Sequence, residues 1–375
     1  MAKTADYLTD LKQLGYSFRY NDVTDRIEVN GQPLSDVLAA QVRSQMRDQG
    51  HRHMSAVEDA YTAAAAVNRY HPVRDYLSGL TWDGQPHIAR LADYFTDKHG
   101  VFGLYLRRWL IGAVAKAFEE TTNFMLVLDG PQDIGKSYFV AWLCPRALTA
   151  YQTAGKINPD DKDIWIRLSS KWLWEVGEMG ATIRYADREA LKDFITHLTV
   201  TVRRPYARHD SVKPALASLI GTVNGAAGSL LNDQTGSRRF AVCELQAIDW
   251  RGYLAAIDRD QVWAEAFTAY QAGERWNLID AERARQLAIN EEYEVELPLE
   301  GLLHRYYVVD PTDPVSWTSG IEIVTELEVM GLKGLQQRSL SELGSLMKRL
   351  GITRERRRQT WGYIGVAKRQ VGGVP

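Results

Sequence analysis

Residues 123–143 read NFMLVLDGPQDIGKSYFVAWL, and the order of these residues decides the fold. The apolar run Phe124–Leu128 has the length and composition of a buried strand, and Lys136–Leu143 reads as the start of a helix. Between them, Gly130-Pro131-Gln132-Asp133-Ile134-Gly135-Lys136-Ser137 matches GxxxxGK[ST]. The spacing has a physical reason. A strand that passes to a helix through such a loop presents backbone N–H groups to an anion, and Gly130 and Gly135 supply geometry that a side chain would obstruct. Lys136, expected to face solvent, then reaches the β- and γ-phosphates, Ser137 serves Mg2+, and the helix N-terminus faces the anion. The stretch Gly130 to Tyr138 is therefore read as the site for a nucleoside triphosphate with Mg2+.

The 375-residue chain has room for two or three domains. With 45% hydrophobic and 25% charged residues it has the balance of a globular protein, not a disordered one. Cys144 and Cys243 lie outside any CxxC or Cys/His cluster, which argues against a disulfide framework and a zinc site. His51, His53 and His71 likewise lack partners at ligand spacing. No apolar run approaches the ~18 residues of a membrane span. The opening MAKTADYLTDLKQ is amphipathic and interrupted by Asp6 and Asp10, unlike a signal peptide. A soluble cytoplasmic protein with no membrane partner is expected.

Residues 1–80 read as an accessory α+β module. YSFRYN and RIEVNG alternate like strands around the turn NDVTD, and helices are expected from Ser35 to about Asp48 and from Ser55 to Val67. Pro72, Gly79, Asp83-Gly84 and Pro86 punctuate a connector, and residues 81–120 form a helical collar before the quoted strand. Residues 121–290 alternate strands (Phe124–Leu128, Trp172–Trp174, Thr199–Val202, Leu219–Val223, Phe240–Leu245) with helices (Lys136–Leu143, Asp187–His197, Asp260–Ala272). Alternation of this kind argues for an α/β sandwich. EEYEVELP is a charged linker to residues 298–375, where the pattern is helix, helix, strand.

A phosphate loop alone hydrolyses nothing; it needs a carboxylate for Mg2+, a group that orients water, and positive charge for the transition state. KWLWEVGEMG supplies Glu175 for the metal and Glu178 to polarise water, with the division between them open. Gly177 must end the strand if both are to reach one site, because successive strand residues alternate in face. The bland alternative is a surface turn with two solvated acids. ASLIGTVNG repeats the layout and places Asn224 at a strand end, where open α/β sheets gather ligand groups. An ordinary Asn-Gly turn competes with that reading. DQTGSRRF places Arg238 and Arg239 in a polar loop, either as a solvated basic spot or as a finger reaching a neighbouring subunit.

The order WDGQPHI, GPQDIGKS, DKDIW, KWLWEVGEM, LKDFIT, RRPYARH, GTVN, TGSRRF and VWAEAFTAY resembles the virulence-associated E family of phage- and mobile-element-encoded ATPases, related to superfamily 3 replicative helicases. The resemblance covers roughly residues 80–280. It implies an AAA+-like P-loop core, a hexameric ring and ATP hydrolysis at subunit interfaces, in the cytoplasm of a bacterial or phage-infected host. By that resemblance Lys136 and Ser137 are the Walker A pair, Glu175/Glu178 the Walker B acids and Asn224 the sensor. Arg238 or Arg239 falls where the arginine finger is expected. Asp133 departs from the pattern, in which glycine is common, and an acid there opposes phosphate binding.

VTVRRPYARHDSVKPA interleaves Arg203, Arg204, Arg208, His209 and Lys213 with Tyr206, a composition suited to a single DNA strand. In superfamily 3 helicases this position holds a channel hairpin, and Lys213 and His209 are the expected contacts. Inter-subunit ion pairs are the competing use of these arginines. The C-terminal SLSELGSLMKRLGITRERRRQTWGYIGV resembles a winged helix, with Arg354, Arg356, Arg357 and Arg358 leading into the wing. The leading reading is an ATP-dependent DNA helicase that acts as a hexamer in replication of a phage or mobile element, alongside a primase or other replication protein. The rival is an ATP-switched initiator or loader that binds an origin without processive unwinding. A third reading, an ATPase of defence between mobile elements, has no direct support in the residues.

Overall fold

The computed structural model describes residues 4–158, 161, 163–177, 185–202, 210–224, 237–292, 298–329 and 338–369. The chain divides into two compact units, Met1–Glu294 and Val295–Pro375.

Six strands build the main sheet of the first unit: β1 Phe95–Asp97, β2 Met125–Asp129, β3 Gln152–Ala154, β4 Leu173–Val176, β5 Ser218–Val223 and β6 Phe240–Ile248. Their spatial order is β1-β6-β2-β5-β4-β3. β1 runs antiparallel to β6, and every other pair is parallel. A parallel sheet must bury both faces, so its strands read as unbroken apolar runs. β2, β4 and β5 are buried along their whole length.

Alternate residues feed opposite layers. Leu126, Leu128, Ile220, Ala241 and Cys243 pack with Trp109, Phe139 and Trp263, which come from helices Phe102–Phe118, Lys136–Leu143 and Arg259–Gln271. Met125, Val127, Leu219, Trp174 and Val242 pack with Leu168, Leu191 and Phe194 from helices Ile164–Ser170 and Tyr185–Thr196. The result is a three-layer mixed α/β unit. Arg107 and Arg108 tie the first layer together through Glu265, Glu274 and Glu282.

The structure departs from the sequence reading at three places. The stretch read as a helical collar also contains β1, because FTD pairs with the end of β6. β3, a short QTA edge strand with no apolar run, escapes a pattern search. Thr199–Val202 is a strand but pairs with Ser211–Pro214 in a separate hairpin instead of joining the sheet.

The N-terminal residues form a four-stranded sheet from Phe18–Asn21, Arg26–Val29, Gln32–Pro33 and Arg69–Tyr70. Helices Thr4–Gln13, Asp36–Asp48 and Met54–Val67 cover it, and Ser35 caps the second by accepting from the Leu38 N–H. Asn21 is fully buried and donates to Glu28 and to the Tyr151 hydroxyl, both at 2.7 Å, which links this sheet to the core.

The second unit packs helices Pro298–Tyr306, Gly320–Val329 and Arg338–Arg349 around Leu303, Tyr307, Ile323, Leu343 and Met347. A three-stranded antiparallel sheet joins Trp317–Ser319, Thr360–Ile364 and Arg354–Arg357. The linker EEYEVELP falls largely outside the described residues. Among the described residues no helix is long and apolar enough to cross a membrane.

Candidate functional site

β2 ends under the backbone of β6. A Cβ on Gly130 would lie 2.2 Å from the Leu245 carbonyl oxygen, so only glycine lets the loop leave the sheet here. Gly135 has φ 101° and Asp133 has φ 63°. The first conformation suits glycine. The second is left-handed backbone that Asp tolerates at a cost of about 1 kcal/mol. Helix Lys136–Leu143 starts at Gly135, so its first amides face the loop.

Gln132, Asp133, Gly135, Lys136, Ser137, Tyr138, Gly177, Thr222 and Asn224 line a cavity of about 410 Å3. Strand register explains the convergence. Thr222 and Val223 of β5 stand opposite Leu128 and Asp129 of β2, while Ile220 and Gly221 stand opposite Glu175 and Val176 of β4. The three strands therefore end close together. Gly177 and Asn224, the residues that follow β4 and β5, both reach the cavity.

Lys136 is only 6% exposed, and its Nζ donates to the carbonyls of Gly130 at 2.8 Å and Pro131 at 2.6 Å. Burial lowers its pKa, while the Asp129 and Asp133 carboxylates pull it upward. The side chain is folded back on its own loop, which corrects the expectation of a solvent-facing group. Ser137 is exposed. Glu175 is 8% exposed, and Thr222 Oγ1 donates to its Oε1 at 3.1 Å, so the acid approaches the cavity through Thr222.

A hydroxyl and one carboxylate, completed by nucleotide oxygens, form the hard donor set that Mg2+ takes. Ser137 and Glu175 fit such a role. Among the described residues no group of three or more His, Cys, Asp or Glu gathers into a protein-only metal cage.

Arg238 and Arg239 occupy a single turn, Ser237–Arg239, directly before β6. Phe240 stands opposite Met125, the first residue of β2, so the pair sits at the far end of the sheet from the Gly130–Ser137 loop. The separation is roughly 15 Å at 3.3 Å per strand residue.

Lys213 departs from the expected channel contact. It is 8% exposed, lies 3.1 Å from the Asp25 carboxylate and donates to the Val23 carbonyl at 2.6 Å. It occupies the inward position of a strand whose neighbours face out, which turns it to the N-terminal sheet. Glu178, Arg203, Arg204, Tyr206, Arg208 and His209 lie outside the described residues.

In the second unit Arg354, Arg356, Arg357 and Arg358 are all exposed on one hairpin. Arg356 stands opposite Trp361, which is 49% exposed, and the Arg354 guanidinium lies 4.6 Å from the centre of that ring. Basic and aromatic groups share one face.

Sequence reasoning missed Thr222 and Trp250. Trp250 opens the helix after β6, lies in van der Waals reach of Gly135, 3.5 Å from where a Cβ there would stand, and meets Tyr138 edge-on with ring centroids 5.6 Å apart. Both rings are exposed, at 39% and 50%. Nothing in the sequence marks Trp250, because its place beside the loop follows from β6 lying next to β2.

No curated protein sequence matches the chain. Among solved structures, the A form apo structure of the NrS-1 C terminal region is similar with a TM-score of 0.51 at 14% identity, covering 96% of this chain and 99% of that one. Two further apo structures of that region have TM-scores of 0.47 and 0.48 at 14% and 12% identity. They cover 98% and 97% of this chain and 100% and 99% of theirs. At such identity the first likeness concerns fold alone. The family match is independent of it and covers residues 77–295, more than half of the chain, including every strand of the main sheet. The protein belongs to the virulence-associated protein E-like domain family.

Proposed function

We propose that the protein is an ATP-driven DNA helicase serving replication of a phage or mobile genetic element, with an AAA+-like P-loop core working as a hexameric ring. The observation that carries this reading is the convergence of Lys136, Ser137, Thr222 with Glu175 behind it, and Asn224 at one end of three adjacent parallel strands. ATP with Mg2+ supplies the transferable phosphoryl group and neutralises its charge. Lys136 leaves the carbonyls of Gly130 and Pro131 to meet the phosphates. Ser137 and Glu175 hold the metal, Glu178 polarises water and Asn224 orients it. Tyr138 and Trp250 offer ring surfaces beside the loop for the base.

Arg238 or Arg239 acts on a neighbouring subunit. Their position at the opposite end of β6 and β2 supports this, since neither can serve its own loop from there. The Arg203–Lys213 hairpin follows single-stranded DNA, with Lys213 anchoring its base and not touching the strand. The winged-helix-like second unit adds a DNA contact through Arg354–Arg358. That exposed hairpin also favours the second reading, an initiator or loader that assembles on an origin.

Strand separation of a forked duplex with ATP and Mg2+ tests the proposal. Unwinding that disappears when ATP is replaced by a non-hydrolysable analogue is expected. An assembled hexamer that unwinds nothing at any salt concentration overturns it. An ATP-dependent footprint on one duplex that needs no hydrolysis then favours the initiator.

A further inference from the structure

We propose that a second cavity in the first unit, organised around Lys116, binds a small phosphate-like dianion and is separate from the nucleotide loop. The cavity has a volume of about 440 Å3, within the range of small-ligand sites. Three elements of the fold enclose it: the N-terminal sheet with Asp22, Asp25 and Arg69, the end of helix Phe102–Phe118 with Lys116, and the hairpin base Ser211–Pro214 with Lys213. The helix ends before β2 begins, whereas the nucleotide loop follows the end of β2. The two cavities have no lining residue in common.

Lys116 is 4% exposed and forms no hydrogen bond or ion pair with any described residue, although it lines the cavity. The other cations are engaged. Arg69 pairs with Asp22 at 2.6 Å, Arg74 donates to the Ala117 carbonyl, and Lys213 pairs with Asp25 at 3.1 Å. Of four cations, two take the two carboxylates and Arg74 takes a backbone carbonyl, which leaves Lys116, the most buried of them. His71 accepts from the Arg74 N–H through Nδ1 at 3.2 Å, so in its neutral form Nε2 carries the ring proton. Burial, aided by Arg74, pushes the His71 pKa down to about 4, which keeps that ring neutral near pH 7.

A buried ammonium without a partner is costly, and it sheds its proton unless an anion compensates it. Burial alone pushes Lys116 down to about 7. An arriving dianion pairs with the protonated form and opposes that shift, so binding below pH 7 is favoured and binding above it must take up a proton. Occupancy would also brace the hairpin base against the N-terminal sheet, through the Lys213–Asp25 contact at the rim.

Sulfate is the probe, because its charge is constant between pH 6 and 9. It is titrated by calorimetry into the full chain carrying Lys136→Ala, which removes the phosphate-loop lysine. The expected result is one saturable sulfate site, at least tenfold weaker at pH 8.5 than at pH 6, lost when Lys116→Met is added, and competed for by inorganic phosphate at pH 7. Absence of saturable binding, or binding that survives Lys116→Met unchanged, overturns the proposal. If the double variant does not fold, amine modification of Lys116 in the unaltered chain, mapped by peptide mass, replaces it. Sulfate should protect Lys116 several-fold while leaving the exposed Lys348 and Lys368 unaffected, and equal modification with and without sulfate overturns the proposal.

Discussion

Lys136 is bonded to two carbonyls of its own loop, so the proposed binding of a triphosphate exchanges one set of acceptors for another. Lys136→Ala is predicted to reduce ATP turnover at least 100-fold without lowering Tm, because the deletion removes a partly desolvated charge and no apolar contact. Steady-state hydrolysis and a thermal melt check both halves; a melting point lowered by many degrees would mean that the loop collapses instead. Asp133 makes the opposite contribution. It lines the cavity with left-handed backbone, where glycine costs nothing and a carboxylate repels phosphate. Asp133→Gly is predicted to tighten nucleotide binding about tenfold, on the order of 1 kcal/mol from lost repulsion. Tm should barely move, since relief of strain is offset by the greater freedom of glycine in the unfolded chain. Titration with a fluorescent ATP analogue measures it, and unchanged affinity would show that the acid turns away from the phosphates.

At the level of single elements, the hairpin Arg354–Arg357/Thr360–Ile364 carries its own signature. Its two-residue turn, Arg358-Gln359, has φ of 45° and 71°, a geometry that usually selects Asn-Gly. Holding two ordinary side chains in left-handed backbone costs on the order of 1 kcal/mol each, and the arrangement keeps an exposed arginine, Arg358, at the tip. Arg356→Ala is predicted to weaken DNA binding and to reduce the slope of log affinity against log salt by about 1, the signature of one lost phosphate contact. Trp361→Ala should weaken binding to single strands by ~1–3 kcal/mol with the slope unchanged, as expected for lost stacking. Fluorescence anisotropy across a salt series separates the two. Identical slopes for Arg356→Ala and the unaltered chain would remove this hairpin from the DNA-binding surface. Basic residues here were legible in the sequence. Their clustering with Trp361 was not, because it depends on the antiparallel register that sets Arg356 opposite that ring.

For the whole molecule, the decisive question is whether one chain can complete its own site. Arg238 and Arg239 lie a strand's length from the loop of the same chain, so the proposed catalysis requires a neighbour. Subunits with Arg239→Ala and Arg238→Ala together, and subunits with Glu178→Gln, are each predicted to bind ATP and hydrolyse it poorly. Mixing the two should restore part of the turnover, because some interfaces then combine an intact acid with an intact arginine. Turnover of the mixture equal to the average of the separate preparations would place both groups in one subunit's site or outside catalysis.

Local chemistry let the sequence by itself determine the strand–loop–helix around Gly130–Ser137. Gly130, Gly135, Lys136 and Ser137 must follow one another at set spacing between a strand and a helix, and that order is visible without a fold. It also determined the α/β alternation, since parallel strands buried on both faces leave apolar runs. Only the tertiary structure decided strand order, and with it which distant residues meet. Glu175 sits behind the cavity wall, bonded to Thr222, Trp250 stands beside Gly135, and Lys213 turns from the expected channel to Asp25. Each of these depends on contacts between residues far apart in the chain, which hydrophobic period and motif spacing do not encode.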